Sequence, residues 1–231
     1  MRINKYLSRT GICSRRAADQ LIEDGRVLIN GKQASLGDRV EIDDEVYVDG
    51  RLITLDSESK FTYIALNKPK GIITTAAAEP NNIIDFIGYS KRIYPVGRLD
   101  KNSRGLIFLT DDGDFAYHIM RAGNHSIKEY IVKTKHSFDD RFIEAMSSGV
   151  PILDTVTNPC HVTRIDERTF KIELNQGLNR QIRRMSEACG HEVVDLKRIR
   201  IDCIRLGELK EGEWRHLTDK EVKSLMSEQP N

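Results

Sequence analysis

The feature that most limits the fold is an aperiodic polar break, Thr54-Leu55-Asp56-Ser57-Glu58-Ser59-Lys60, between two differently patterned stretches. A segment with neither helical nor strand periodicity reads as a linker. The chain of 231 residues therefore divides into a short module, residues 1–55, and a larger domain, residues 61–231. In the short module, Asn4 to Arg9 reads as a helix with Ile3 and Leu7 on one face. Ser14 suits the N-cap of a second helix, Arg15 to Asp24, with Ala17, Ala18, Leu21 and Ile22 as its buried stripe and Gly25 as its terminator. Two strand signals follow, Val27-Leu28-Ile29 into Asn30-Gly31 and Glu45 to Val48 into Asp49-Gly50, each dipeptide favouring a tight hairpin turn.

Beyond the break, strands are expected at Tyr63 to Leu66, at Ile72 to Thr75 across the turn Lys68-Pro69-Lys70-Gly71, and at Leu106 to Thr110, Glu129 to Thr134 and Phe170 to Leu174. Helices are expected at Phe115 to Arg121, Asp139 to Ser147 and Arg180 to Cys189. A last one begins at Thr218, where Thr218 and Glu221 have capping-box spacing. Strands and helices are interspersed without regular βαβ alternation. The expected class is α+β: a small N-terminal α/β module, then a mixed, mostly antiparallel sheet.

Hydrophobic residues make up 39% and charged residues 31%, enough apolar material for a core. No run approaches the ~20 apolar residues of a membrane helix. Met1-Arg2-Ile3-Asn4-Lys5 lacks the apolar core of a signal peptide, so a cytoplasmic protein is expected. Cys13, Cys160, Cys189 and Cys203 form no C-x-x-C pair and are too scattered for a zinc site, so free thiols and no metal are expected. The net charge of +1 conceals a segregation. Arg2, Lys5, Arg9, Arg15 and Arg16 precede the first acid, Asp19, and a second group comprises Arg180, Arg183, Arg184, Lys197, Arg198, Arg200 and Arg205. The acids gather elsewhere, at Asp38 to Glu45 and Asp111 to Asp114. One basic run reads as a solvated helix face. Two such runs, each beside a further motif, point to a polyanionic partner.

Three segments carry the chemistry. The first is Gly97-Arg98-Leu99-Asp100-Lys101-Asn102-Ser103-Arg104-Gly105, leading into the apolar strand Leu106 to Leu109. Flanking cations favour the charged form of the Asp100 carboxylate, which suits it as nucleophile or base; the alternative is a turn Asp capping the loop. Next is Lys128-Glu129-Tyr130-Ile131-Val132, an aromatic at a strand start, where an ordinary core role competes with a functional one. The last is Gln176-Gly177-Leu178-Asn179-Arg180-Gln181-Ile182-Arg183-Arg184-Met185. Ile182, Met185 and Cys189 share a helical face, which leaves Arg180 and Arg184 outward and Arg183 at the border. Arginines at a helix N-terminal region suit phosphate or carboxylate partners.

In this order, the segments resemble those of the pseudouridine synthases that modify ribosomal RNA and carry an N-terminal S4 module. Residues 1–50 are similar to an S4 RNA-binding domain. Asn67-Lys68-Pro69, Gly97 to Gly105, Lys128-Glu129-Tyr130 and Gln181-Ile182-Arg183-Arg184 are similar to the synthase signatures. Through Arg2 to Gly31 and Ile83 to Lys133 the chain looks most like the type F synthases of that family, which act on RNA of the large ribosomal particle. The resemblance implies an enzyme that isomerises a specific uridine of structured RNA after flipping it out. The implied substrate is a stem-loop of large ribosomal RNA, with transfer RNA as a second one.

It further implies that Asp100 is the catalytic carboxylate, Tyr130 the tyrosine beside the target base and Arg183 the basic partner of Asp100. Arg98, Lys101, Arg180, Gln181 and Arg184 would contact RNA around the flipped nucleotide, and Arg2, Lys5, Arg15, Arg16 and Lys32 would contact it from the S4 module. Isomerisation requires no cofactor or metal, and a monomer suffices. The rival reading is a non-enzymatic S4-type RNA-binding or ribosome-assembly protein. A second rival, a glycoside hydrolase, needs a second carboxylate. Glu129 is the nominal candidate, but strand alternation sends it away from Tyr130.

Overall fold

The computed structural model describes residues 1–55, 60–77, 79–121 and 126–227; residues 56–59 of the expected linker lie outside them. The chain forms two compact units, Met1–Phe61 with Ser90–Arg92, and Thr62–Tyr89 with Ile93–Asn231.

In the first unit, α1 (Ile3–Arg9) buries Ile3 and Leu7. Helix α2 (Arg15–Glu23) begins at Ser14, whose hydroxyl oxygen accepts from the Ala17 N–H at 3.1 Å, a cap worth about 1 kcal/mol. Its buried face holds Ala18 and Ile22, with Leu21 packed at the margin. Ala17, expected in that stripe, is exposed, because one residue turns the helix by about 100° and carries it off a narrow face. Strands β1 (Val27–Ile29), β2 (Lys32–Gln33), β3 (Val46–Val48) and β4 (Arg51–Ile53) form an antiparallel sheet in the order β2-β1-β3-β4. Both hairpin dipeptides are left-handed at both residues, with φ of 50° and 75° at Asn30-Gly31 and 49° and 75° at Asp49-Gly50. That geometry matches the twist of the strands they join.

The second unit is built on a sheet of nine strands among the described residues. In chain order its strands are β5 (Tyr63–Lys68), β6 (Tyr94–Val96), β7 (Arg104–Thr110), β8 (Lys128–Thr134), β11 (His161–Arg164), β12 (Thr169–Leu174), β13 (Val193–Ile201), β14 (Ile204–Arg205) and β15 (Trp214–His216); β9 (Pro151–Ile152) and β10 (Thr155–Val156) make a separate hairpin. The main path runs β11-β12-β8-β13-β7-β5-β15. Among the pairings of the described strands only β13–β7 is parallel, so the mixed, mostly antiparallel α+β sheet expected from the sequence is present.

The helices are α3 (Ile83–Ile87), α4 (Gly113–Met120), α5 (Asp140–Ser148), α6 (Gln181–Ala188) and α7 (Asp219–Ser227). Alternation along β7 places Leu106 and Phe108 on one face, under Phe115 of α4 and Leu225 of α7. Ile107 and Leu109 point to the other face, with Ile83 of α3. Phe142 of α5 and Ile182 and Met185 of α6 cover the same side further along, over Val132 and Phe170.

Local chemistry fixes the helix starts. The Asp112 carboxylate accepts from Asp114 N–H at 2.9 Å and Phe115 N–H at 3.2 Å, so α4 starts at Gly113 rather than at the expected Phe115. The expected capping box at α7 is formed: Thr218 N–H donates to Glu221 Oε2 at 2.8 Å, and Glu221 N–H to Thr218 Oγ1 at 3.2 Å.

One expected strand is absent, and β13 is present where no strand was expected. Ile72 to Thr75 is not a strand; only Ile73 makes an isolated bridge, to Asn82, because this segment spends its polar groups on the loop beside it. The nine-residue β13 is a strand whose basic residues, Lys197, Arg198 and Arg200, read in the sequence as part of a cation cluster. Its arginines are bound by sheet partners, Arg198 to the Leu106 carbonyl at 2.6 Å and Arg200 to Glu129 at 2.9 Å.

Candidate active site

Residues 97–103 join β6 to β7, and separate contacts hold this loop. Leu99 is buried among Ile64, Leu66, Ile107 and Leu109. The Thr74 hydroxyl donates to Leu99 O at 2.7 Å and accepts from Leu99 N–H at 3.3 Å. Gly71 N–H donates to Lys101 O at 2.8 Å, and Ser103 N–H donates to Asp100 O at 2.9 Å. From α6, the Arg183 guanidinium donates to Asn102 O at 3.1 Å and Val193 O at 2.9 Å. Main-chain atoms on both sides of Asp100 are thus fixed while its carboxylate stays partly open, at 36% side-chain exposure.

Sheet register brings Tyr130 to this loop. Lys68, Gly105, Arg198, Tyr130 and Ile172 are successive partners across β5, β7, β13, β8 and β12. Tyr130 packs against the Leu99 cluster and against the Ile182–Met185 cluster. The approach of β7 to β13 depends on Gly105: with φ +108°, a Cβ there would lie 2.2 Å from Arg198 O.

Two lysines stand on these strands, Lys68 at the end of the row and Lys128 at the start of β8. Lys68 is fully buried, and its ammonium donates to Pro69 O at 2.9 Å and Ile72 O at 2.8 Å. Burial pushes its pKa down to about 8, with the charge of Asp100 opposing. Burial likewise pushes Lys128 down to about 8, where its ammonium donates to Ser126 O at 2.6 Å. Neither sequence charge nor periodicity marks Arg198 as a site-framing residue. Lys68 carries one legible signal, a lysine closing an apolar strand before proline.

Helix α6 departs from expectation at two positions. Arg183 makes no ion pair with Asp100; the nearer cation is Arg180, 3.9 Å from its carboxylate. Arg180 sits before the helix in a left-handed conformation, φ 51°, which turns its side chain off the helical face that periodicity assigns. Arg183 instead grips the loop backbone, and burial lowers its pKa, with Arg180 adding to the effect and Asp100 and Asp195 opposing. Gln181, expected to contact RNA, is buried. Its carbonyl accepts from Leu178 N–H at 3.0 Å and its amide donates to Gln176 Oε1 at 3.2 Å, so it shapes the turn into α6.

Arg98 and Lys101 are exposed, while Arg184 folds back on Asn179 O at 3.1 Å. Glu129 lies on the sheet face opposite Tyr130, held by Lys171 and Arg200, each at 2.9 Å. Burial would raise its pKa, yet these two cations hold it below the usual carboxylate range. It is therefore no second carboxylate for Asp100.

In the first unit Arg2, Arg15, Arg16 and Lys32 are exposed, and Lys5 is half-buried. Among the described residues no group of three or more His, Cys, Asp or Glu could hold a metal ion, and no helix is long and apolar enough to cross a membrane.

The second unit thus carries a loop-borne carboxylate beside an arginine and a tyrosine packed against the same loop, and the first is a separate small module with exposed cations. The family described as RNA pseudouridylate synthase matches residues 62–188, and the S4 domain matches residues 1–46. The chain belongs to the RNA pseudouridylate synthase family and carries an N-terminal S4 domain.

Among named relatives, it is 53% identical over 225 residues to the dual-specificity RNA pseudouridine synthase RluF of Salmonella typhi, covering 97% of this chain and 78% of that protein. It is 34% identical to the ribosomal large subunit pseudouridine synthase B of Bacillus subtilis, over 97% of this chain and 95% of that one. A crystal structure of a pseudouridylate synthase superposes with a TM-score of 0.71 at 29% identity, covering 97% of this chain and 99% of the other.

Proposed function

We propose that Asp100 is the group through which this enzyme isomerises uridine. Its carboxylate opens the C1′–N1 bond of an extruded uridine, either by adding to C1′ or by taking a sugar proton. The uracil then turns and C5 joins C1′ as the carboxylate leaves C1′ or, on the other route, returns the sugar proton; C5 gives up its proton and N1 gains one. Atoms and electrons balance within the nucleotide. The observation carrying this reading is the fixing of the backbone around Asp100 by Thr74, Gly71 and Arg183 while the carboxylate stays open. Arg180 is placed to hold the carboxylate or an adjoining phosphate. Tyr130 supplies the aromatic surface for the turned base.

The substrate on this reading is a stem-loop of large ribosomal RNA, with a transfer RNA accepted as well. The names of the relatives, dual-specificity in one case and ribosomal large subunit in the other, support it. Extrusion of a stacked base costs a few kcal/mol, and basic contacts offset that cost. Residues 1–55 select the location and residues 61–231 perform the chemistry, in a cytoplasmic monomer. Arg98 and Lys101 are exposed on the catalytic loop and suit RNA phosphates.

Release of tritium from C5-labelled uridine in ribosomal RNA, with the modified positions mapped, tests the reading. Asp100→Asn is expected to bind the RNA within about twofold of the native protein and to lose more than ~10³-fold in rate. Sustained release by that variant would overturn the assignment.

A further inference from the structure

Asp195 lies in β13 just past a register shift between Val193 and Asp195, a bulge of the kind that re-aims a side chain. Its carboxylate receives the Arg104 guanidinium at 2.7 Å through Nη2 and 3.1 Å through Nε, and the Lys70 ammonium at 2.7 Å. Asp195 and Arg104 are largely covered, at 24% and 27% side-chain exposure. Arg104 also reaches Glu211 at 3.3 Å. Burial would raise the Asp195 pKa, but the hydrogen bonds from Arg104 and Lys70 bring it down to about 2.

The two cations belong to the two segments that frame Asp100. Arg104 directly follows Ser103, whose N–H closes the turn on Asp100 O. Lys70 directly precedes Gly71, whose N–H holds Lys101 O. One carboxylate therefore draws both ends of the frame onto β13. Without its charge, Lys70 and Arg104 would face each other as like charges.

We propose that Asp195 is a positioning residue for the reaction, acting through Arg104 and Lys70 to set the loop that carries Asp100. The proposal rests on the reading of Asp100 as the catalytic carboxylate. An acid beside an RNA-binding surface repels phosphate, so a positioning role and a role in binding predict opposite signatures. Loss of positioning lowers kcat and leaves the KM for RNA unchanged or smaller. An acid that served RNA recognition would raise KM on removal, and one without a role would leave kcat alone.

The test is tritium release over a range of RNA concentrations, with folding checked by circular dichroism. Asp195→Asn is expected to lower kcat by ~10- to 100-fold, the scale of loss when a catalytic group is displaced by up to about 1 Å. Asp195→Glu is expected to restore kcat to within about threefold, because it returns the charge. Arg104→Gln should match the loss of Asp195→Asn, and the double variant should be no worse than the slower single one. Glu192→Gln removes an exposed acid whose ion pair among the described residues is with Lys135, and it serves as a control with native kinetics. Native kcat in a folded Asp195→Asn protein, or a Glu variant as slow as Asn, would sink the proposal. If Asp195→Asn fails to fold, Arg104→Gln and Asp195→Glu decide by the same criteria. Release by Asp100→Asn would remove the underlying reading, whereas a silent Asp100→Asn with a native Asp195→Asn would remove the clamp alone.

Discussion

In the N-terminal unit the cations Arg2, Arg15, Arg16 and Lys32 stand exposed on a small scaffold. In the second unit Lys68 is sealed on two carbonyls, Arg198 is buried on a third, Arg183 spans Asn102 O and Val193 O, and Arg104 is clasped by Asp195. Cations of the first kind can follow a phosphate backbone and contribute affinity that salt screens. Cations of the second kind are committed to protein oxygens, so their contribution is geometric. They hold a strand junction and one loop in place. The same residue types thus serve binding in one unit and precision in the other, and burial decides which.

The sharpest way to break this contrast uses two glycines. Gly105→Ala places a Cβ 2.2 Å from Arg198 O at φ +108°, and backbone cannot yield as a flexible side chain does. A loss of about 3 kcal/mol or more in urea unfolding, with activity falling alongside, is expected. Gly31→Ala, at φ +75° with nothing within 4 Å, is expected to cost only about 1 kcal/mol of left-handed strain. Equal costs would mean that the β7–β13 junction is not tightly fixed.

Next in size is Arg183→Ala. It is expected to lower kcat by ~10²-fold through misplacement of the Asp100 loop, with the KM for RNA within about threefold. A rise in KM with native kcat would move Arg183 into the binding class. Smaller still is the paired change Arg15→Gln and Arg16→Gln. It should raise KM about tenfold at moderate salt, leave kcat native and flatten the salt slope of binding by about two.

The smallest effect is on pH-dependent stability. Lys68 and Lys128 titrate near 8 in the folded protein and near 10.5 when unfolded, so the unfolded chain binds more protons between these values. Stability should be independent of these groups below about pH 8 and rise with pH from there to about 10.5. The gain from about pH 8 to 9 should be about 1 kcal/mol or less per lysine, seen in urea midpoints and reduced in Lys68→Met. A slope of the opposite sign would show that these ammonium groups are stabilised by their carbonyls more than burial disfavours them.

Much of this architecture was legible because it rests on local chemistry. Ser14, the Asn30-Gly31 dipeptide and the Thr218–Glu221 pair each satisfy backbone groups within a few residues, so each announced its element. Strand β13 was not legible. Its run Val193-Val194-Asp195-Leu196-Lys197-Arg198-Ile199-Arg200-Ile201 carries charges that look solvated until their partners, Arg104, Leu106 O and Glu129, arrive from 71 to 92 positions away in sequence. The same limit explains why Arg180 and not Arg183 lies beside the Asp100 carboxylate. Helical periodicity assigned their faces, but Arg180 precedes the helix in a left-handed conformation that periodicity does not encode.

The order of the Asp100, Tyr130 and Arg183 segments, the two-part division and the separation of cations from acids were properties of the sequence alone, because each depends on residue type and spacing. Which cations became solvent-facing and which became struts was decided only on folding. A guanidinium buried without oxygen partners is costly, and those partners come from distant strands and loops. The register Lys68–Gly105–Arg198–Tyr130 brought Arg198 to the Leu106 carbonyl and Tyr130 to the cluster around Leu99, beside Asp100.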